Sequence, residues 1–493
     1  MFRLGVVAVL RSRSLNGVAV GCMVTASHNP ACDNGAKLVD AMGEMMEASW
    51  EPHVTAIVNA SDDEVVSKLE SLISELAITL DGPSSIIVGC DTRESSPALL
   101  RAFVEGAESL QGCKVRELGA VTTPQLHYVV RCTNDLYGAP SIDGYYEKLS
   151  RAFKSHVSIA SPPKLYSSEL TVDAANGVGG GALHKFATLV GDSLKIQVVN
   201  DGDGILNHEC GADYVKIEQK APRGLTMAPL KRYASLDGDA DRIVYFFLDS
   251  EGTFRLLDGD RIAILLMKYI KKLLDQIPAT KDLSLGIVQT AYANGSSTDF
   301  ILNKLGVSVS CVPTGVKSLH REALKFDIGV YFEANGHGSI HFSKQAKRKI
   351  SSSNSMASRN LISFIDLTNE TVGDALSDML LTEATLRQMD MDVTQWLKEY
   401  DDLPSKQIKI TVPDRSVIQT TNAARTCTAP KGLQAAIDAA VAKYPKGRSF
   451  VRPSGTEDIV RVYAEALGET EGKLNAELLA TEVTCLVKQF TCS

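Results

Sequence analysis

Three polar loops, far apart in the chain, carry residue types suited to phosphoryl chemistry. The first is Thr25-Ala26-Ser27-His28-Asn29-Pro30, just after the apolar run Val18 to Val24. A strand ending there presents the Ser27 hydroxyl outward. Asn29-Pro30 ends regular structure, because proline lacks an N–H and restricts the residue before it. Taken alone, the serine suits a helix cap as well as a nucleophile. The second loop is Leu236-Asp237-Gly238-Asp239-Ala240-Asp241-Arg242, followed by the apolar run Ile243 to Leu248. Three carboxylates at alternate positions repel one another and raise one another's pKa. A hard divalent cation relieves that repulsion; without one the segment is a solvated acidic turn. The residues exclude an EF-hand, whose glycine and glutamate are replaced by Arg242 and Leu248. The third loop is Arg452-Pro453-Ser454-Gly455-Thr456-Glu457-Asp458, with Arg461 close behind. Two guanidinium groups, two hydroxyls and an open backbone suit a phosphate. The alternative is a plain Pro-Ser-Gly turn.

The elements that must position these loops are read from the apolar pattern. Ile86 to Asp91, Leu170 to Gly177 and Leu285 to Gly295 are each a short apolar run ending in a polar turn. Each leads into a helical pattern, and alternation of buried strands with helices indicates α/β units. A chain of 493 residues is too long for one core and suits three or four domains. The expected boundaries are 1–140 for the serine loop, 141–257 for the acidic loop, 258–395 for a third unit and 405–493 for the arginine loop. Tyr400 to Pro404 reads as the hinge into the last unit, and the Ser- and Lys-rich stretch Ser343 to Asn360 as a mobile surface loop.

Composition narrows the function classes. A net charge of −8, from 51 basic and 59 acidic residues, argues against a nucleic-acid binder. No apolar run reaches membrane-spanning length. Ten scattered cysteines read as reduced thiols and a cytoplasmic location. Arg3, Arg11 and Arg13 surround Leu4 to Leu10, but that run is short for a signal peptide and leads directly into the serine-loop strand.

The order of motifs adds a family likeness. The segments are Met23 to Pro30, Asp33 to Asp40, Leu236 to Tyr245, Glu333-Ala334-Asn335-Gly336-His337-Gly338 and Phe450 to Tyr463. In them, and over nearly its whole length, the sequence resembles the α-D-phosphohexomutases, with the Glu333 loop similar to that of their acetylglucosamine branch. The resemblance implies three related α/β domains plus a smaller C-terminal α+β domain around a central cleft. It implies a mutase that interconverts N-acetylglucosamine 6-phosphate and 1-phosphate, on the route to UDP-N-acetylglucosamine. A phosphorylated Ser27, Mg²⁺ and a glucosamine-type 1,6-bisphosphate intermediate come with it.

Residue by residue, the resemblance implies that Asp237, Asp239, Asp241 and the Ser27 phosphate hold the metal. Lys37 or His28 is the acid/base, with the Lys37 pKa expected to be lowered beside Arg242 and a metal. Arg242 neutralises the phosphate, and Lys317 touches sugar or phosphate. Glu333 and Asn335 read sugar hydroxyls, and His337 has a structural role. Arg452, Ser454, Gly455, Thr456 and Arg461 hold the non-reacting phosphate. The implied partner is a small phosphosugar, with no nucleic acid and no membrane; the composition does not speak to oligomeric state.

Two departures from the family pattern stand out. Cys90 replaces an arginine in Gly89-Cys90-Asp91-Thr92-Arg93. The chain also begins after the position of the family's Gly-Thr-x-Gly-x-Arg segment. On that basis the strand Val18 to Met23 is expected to lose one neighbour, and folding and turnover to suffer in the first domain. A catalytically silent sugar-phosphate binder and a glucose or mannose phosphomutase are the competing readings.

Overall fold

The computed structural model describes residues 1–159, 162–454 and 458–491. Three of its sheets share one plan. In the first, β1 (Ala19–Val24), β2 (Ala36–Val39), β3 (Ser84–Cys90) and β4 (Cys113–Ala120) lie in the order β2-β1-β3-β4. β1, β3 and β4 are parallel, and β2 is antiparallel to β1. The second sheet contains β5 (Glu169–Asp173), β6 (Lys195–Val199), β7 (Tyr233–Leu236), β8 (Ile243–Leu248) and β9 (Phe254–Leu257), in the order β6-β5-β7-β8-β9. Here β5, β6 and β7 are parallel, and β8 and β9 continue antiparallel. The third contains β10 (Leu285–Thr290), β11 (Ser308–Val312), β12 (Ile328–Phe332) and β13 (Gly338–Phe342), in the order β11-β10-β12-β13. Again the first three are parallel and the last is antiparallel.

The C-terminal unit differs. β14 (Ser405–Thr411) is followed by a small hairpin, β15 (Gln419–Thr421) and β16 (Thr426–Ala429), and then by β17 (Arg448–Pro453) and β18 (Ile459–Glu465). β14, β18 and β17 form an antiparallel sheet. The helix Asn475–Thr491 packs across it. The strands buried on both faces are the most apolar: every residue of β1, Ala-Val-Gly-Cys-Met-Val, is buried, as is β8 from Ile243 to Phe247.

This plan places the polar loops. The Ser27 loop joins β1 to its antiparallel neighbour β2. The acidic loop joins β7 to its antiparallel neighbour β8, and the Glu333 loop joins β12 to β13. Each occupies the same topological position in its sheet. The arginine loop joins β17 to β18 in the same way.

Three expectations are corrected. β1 has lost no neighbour: the segment carrying Lys37 folds back as β2, so β1 is internal, between β2 and β3. The first unit is folded around its own core, with Val7, Val20, Val88 and Phe103 buried together. Its N-terminal residues form the helix Phe2–Ser14, packed on the helix Ser96–Glu108. Third, Ser343 to Asn360 is not a loop: Ser343 and Ser355 cap the helices Lys344–Ser351 and Met356–Leu367, each side chain accepting from an N–H of the first turn. Serine read as a loop signal is here a helix-start signal.

Between the α/β units the helix Ala375–Met389 is buried from Ala375 to Leu386, against the helices Ile142–Ser158 and Gly259–Leu274. Its Glu383 holds Arg232 by two hydrogen bonds, at 2.8 and 2.6 Å. Nearby, His156 is sealed between Ser363 Oγ at 2.8 Å and Tyr269 OH at 3.0 Å. Burial pushes the His156 pKa down to about 4. His127, at the same depth, is likewise pushed down to about 4 by burial. Below about pH 6.5 the unfolded imidazoles take up protons that the folded ones refuse, so stability falls as pH drops from there toward 4. Each contributes a slope of up to about 1.4 kcal/mol per pH unit. Urea unfolding at pH 7, 6 and 5 should therefore show a shallower fall for His156→Gln than for the parent. Identical slopes would mean that His156 is not held neutral.

Candidate active site

The loops of all four units line one cleft of about 630 Å³, with Ser27, Asp241, Glu333, Arg452 and Arg461 in its wall. Ser27 follows β1 in a left-handed backbone conformation, φ 52°. That conformation costs a non-glycine residue on the order of 1–3 kcal/mol and needs external support. The support is visible. The Ser27 N–H donates to Thr25 Oγ1 at 3.0 Å, and its carbonyl accepts from Arg93 Nη2 and Asn207 Nδ2, each at 2.9 Å. Arg93 also donates to the carbonyls of Asn29, Pro30 and Asp33 and is held by Asp91, so it staples the serine loop.

The Ser27 hydroxyl donates to Asp237 Oδ2 at 2.7 Å and lies 3.4 Å from Asp241 Oδ1. In the six-residue loop between β7 and β8, Ala240 takes φ 58°, and Asp237 Oδ1 accepts the N–H groups of Asp241 and Arg242 at 3.0 and 3.1 Å. This folding turns Asp237, Asp239 and Asp241 to one side, with one oxygen of each within 4.8 Å of the others, all buried.

Lys37, on β2, reaches across the cleft and donates to Asp239 Oδ2 and Asp241 Oδ2, both at 2.8 Å. Thr123 Oγ1 donates to Asp239 Oδ2 at 2.6 Å. His337 Nδ1 is 3.3 Å from Asp241 Oδ1. These donors do not satisfy the cluster: Asp239 Oδ1 is buried with no hydrogen-bond partner. Burial, then Asp241 and Asp239, hold the Asp237 carboxyl far above the usual range. Three converging carboxylates with an orphaned oxygen fit a hard divalent cation such as Mg²⁺.

The opposite wall has other chemistry. Glu333 is buried and accepts the Gly315 N–H at 3.0 Å. Asn335 Oδ1 accepts the His337 N–H at 3.1 Å, which fixes the turn. Arg452 and Arg461 are register partners on β17 and β18, so two guanidinium groups enter the cleft side by side. The Ser454 N–H donates to Ile459 O at 2.7 Å and closes that turn. Gly455 and Thr456 lie outside the described residues.

The molecule thus pairs a buried serine beside an acidic, cation-type cluster with a double-arginine site in the same cleft. Family comparisons agree with that pairing. Residues 139–244 and 258–391 match phosphoacetylglucosamine mutase AMG1 domains II and III. Residues 7–65 and 57–139 match domain I of the phosphoglucomutase/phosphomannomutase family, and 408–480 its C-terminal domain. The phosphoacetylglucosamine mutase of Candida albicans is 46% identical, over 99% of this chain and 93% of that protein. The human one is 46% identical, over 99% and 91%.

This chain belongs to the phosphoacetylglucosamine mutase family.

Solved members of the family superpose closely. An N-acetylglucosamine-phosphate mutase in its substrate complex gives a TM-score of 0.95 at 45% identity, covering 99% of this chain and 92% of that one. The Aspergillus fumigatus enzyme, crystallised with GlcNAc-6P and magnesium, gives 0.93 at 45% identity, with the same 99% and 92% coverage.

Within the family cleft, two sequence expectations meet a different geometry. The Lys37 pKa is raised, not lowered: burial pulls it down, but the paired carboxylates Asp239 and Asp241 outweigh that. Lys317 is not brought to the other residues; its ammonium pairs with Glu51 of the first unit. His28 does face the cleft, with Nε2 3.6 Å from Asp213 Oδ2, and burial followed by Arg242 lowers its pKa. Arg93, in the Gly89 to Arg93 segment that the sequence already singled out, joins the site, and so do Asp213, Thr123 and Asn207, which it did not. Of those last three, only Thr123 carried a local signal, the capping box Thr122-Thr123-Pro124-Gln125 with proline in the first turn.

Magnesium should stabilise the fold measurably, because it binds a cluster that is otherwise self-repelling. At a hundredfold excess over its Kd the gain is about 2.7 kcal/mol. Differential scanning fluorimetry should show an upward shift for the parent and none for Asp239→Asn. A shift of equal size in both would dismiss the cluster as the cation site.

Proposed function

We propose that this protein interconverts N-acetylglucosamine 6-phosphate and N-acetylglucosamine 1-phosphate through a phosphorylated Ser27 and a bisphosphate intermediate. One observation carries the reading: the Ser27 hydroxyl, 2.7 Å from Asp237, shares a single cleft with Arg452 and Arg461. A mutase needs a phosphoryl carrier at one end and a grip on the second phosphate at the other. The A. fumigatus enzyme was crystallised with GlcNAc-6P and magnesium, and a serine-to-alanine variant of it with glucose 1,6-bisphosphate. A bacterial phosphoglucomutase/phosphomannomutase family protein, 15% identical with a TM-score of 0.51, supports the fold alone. The likenesses favour neither a glucose or mannose mutase nor a silent binder.

In the first half-reaction the free sugar hydroxyl attacks the phosphorus on Ser27. The bond from phosphorus to Ser27 Oγ breaks as the new phosphate ester forms. The hydroxyl proton leaves to a base, and Ser27 Oγ takes up a proton. After the bisphosphate turns end for end, the same steps run in reverse with the other phosphate. Positioning and charge neutralisation supply most of such catalysis. Asp237, Asp239 and Asp241, with the phosphate carried by Ser27, would hold Mg²⁺, which would supply charge neutralisation at the transferring group.

Arg242, with Nε 3.8 Å from Asp237 Oδ2 and 3.7 Å from Asp241 Oδ1, is placed to neutralise the same group, and Lys37 brings a protonated amine beside it. Lys37 is thereby suited to hand a proton to Ser27 Oγ, and the neutral His28 imidazole to receive one. Glu333 and Asn335 read the sugar hydroxyls. Arg452, Ser454, Gly455, Thr456 and Arg461 hold the phosphate that is not reacting. Lys317 contributes only where a bound ligand draws it from Glu51. The working domains are taken as 1–140, 141–257, 258–395 and 405–493. Among the described residues no helix is long and apolar enough to cross a membrane, and nine cysteines are free, in keeping with a cytoplasmic enzyme.

Two outcomes test the reading. The parent should carry a phosphate that intact-mass analysis detects, and Ser27→Ala should remove it and abolish mutase activity; an active, fully functional variant would sink the mechanism. Arg452→Ala should raise KM for both monophosphates by roughly 30-fold, the equivalent of about 2 kcal/mol for a charge-assisted contact. Unchanged KM values would exclude the arginine loop as the phosphate grip.

A further inference from the structure

The helix Ala212–Glu218 brings a carboxylate into the cleft that the reading above leaves without a task. Asp213 Oδ1 accepts from Arg242 Nη1 at 2.9 Å, and Asp213 Oδ2 lies 3.6 Å from His28 Nε2. One carboxylate therefore touches the residue after Ser27 in the first unit and the residue after Asp241 in the second. Its own support is rigid. The Gly211 N–H, at the start of the helix, donates to Asp173 Oδ2 at 2.7 Å. Asp173 in turn accepts from Ser235 Oγ at 2.7 Å, Asn200 Nδ2 at 2.8 Å and the Ala175 N–H at 3.1 Å.

The Arg242 guanidinium has four carboxylates to choose from: Asp213, Asp237, Asp241 and Glu333. Its Nε lies 3.8 Å from Asp237 Oδ2 and 3.7 Å from Asp241 Oδ1, beyond hydrogen-bond reach, and has no acceptor. The close contact is to Asp213. Asp237 and Asp241 meet the guanidinium only as these longer ion pairs, although a buried cation and anion this near attract strongly.

We infer that Asp213 is a positioning residue that keeps Arg242 from hydrogen-bonding the cation-ligand oxygens and ties it to His28 at the edge of the serine loop. The inference rests on the reading of Asp237, Asp239 and Asp241 as the cation site. Without Asp213, the guanidinium closes on Asp237 and Asp241 and competes with the divalent ion for their oxygens. Asn at this position keeps an oxygen acceptor but loses the charge that outbids the other carboxylates.

The test uses Mn²⁺ as the probe, with binding read by electron paramagnetic resonance on the full chain. Asp213→Ala should weaken Mn²⁺ by about 10- to 100-fold, the scale of losing an outer-shell partner, with Asp213→Asn between it and the parent. The double variant Asp213→Ala/Arg242→Ala should bind Mn²⁺ more tightly than Asp213→Ala, because the competing cation is gone. A merely structural aspartate would not produce that recovery. In steady-state assays Asp213→Asn should lower kcat while KM for the phosphosugar stays within about threefold, since the arginine loop is untouched. Parent-like Mn²⁺ affinity in folded Asp213→Ala, or no recovery in the double variant, would overturn the inference. A parent that binds Mn²⁺ no better than Asp239→Asn would instead bring down the cation-site reading, and this inference with it.

Discussion

The structure is organised around a cluster of buried carboxylates that cannot hold itself together. Asp237, Asp239 and Asp241 converge within 4.8 Å with almost no solvent to screen them. Their repulsion is opposed from every side by groups of other elements: Lys37 from the first sheet, Thr123 from the helix after it, His337 from the third sheet and Arg242 beside them. The cluster still carries an orphaned oxygen on Asp239. A site built with a charge deficit is primed for a cation and, once loaded, for a phosphoryl group. The relative placement of the first three units is therefore an electrostatic requirement as well as a matter of packing.

That requirement is met by repeating one topological solution. In each of the first three sheets the loop that carries chemistry joins a parallel strand to its antiparallel neighbour. Such loops emerge at one end of a rigid strand pair, so three units can aim them at a common point. Close approach demands glycine at two places. A Cβ on Gly238 would meet the Ser27 carbonyl oxygen at 2.7 Å, and one on Gly336, φ 88°, would meet the Ile243 carbonyl oxygen at 1.8 Å. The backbones of the serine, acidic and Glu333 loops thus touch directly, and any side chain at these positions would separate them.

The division of labour inside the cleft follows from depth. The reacting end is buried, where pairing decides protonation: Lys37 stays charged because two carboxylates face it, whereas burial and Arg242 keep His28 neutral. The double-arginine site belongs to the smaller C-terminal sheet, whose strands β17 and β18 set Arg452 and Arg461 side by side. Attractive ends of unlike chemistry suit a ligand that must bind in two orientations.

The sequence by itself determined the loops, their residue types and the α/β plan. These depend on local rules: apolar runs for buried strands, proline and glycine for turns, and alternating aspartates for a cation. Ser27, the three aspartates, Glu333 and Arg452 were legible because each sits inside a short motif whose chemistry is local. The tertiary structure alone decided what those motifs meet. Nothing near Lys37 in sequence says that it faces Asp239 and Asp241, more than 200 residues away, so its raised pKa was unreadable. Asn207 supports Ser27 through a backbone carbonyl, which leaves no side-chain signature, and the Arg93 segment was visible but not what it staples. β1 kept two neighbours because Ala36 to Val39 folds back on it, a pairing that depends on the loop between them. Asp213 is one aspartate on a short helix until the fold sets it between Arg242 and His28. Hydrogen bonds and Coulomb forces act over a few ångströms of space, and chain separation carries no record of them.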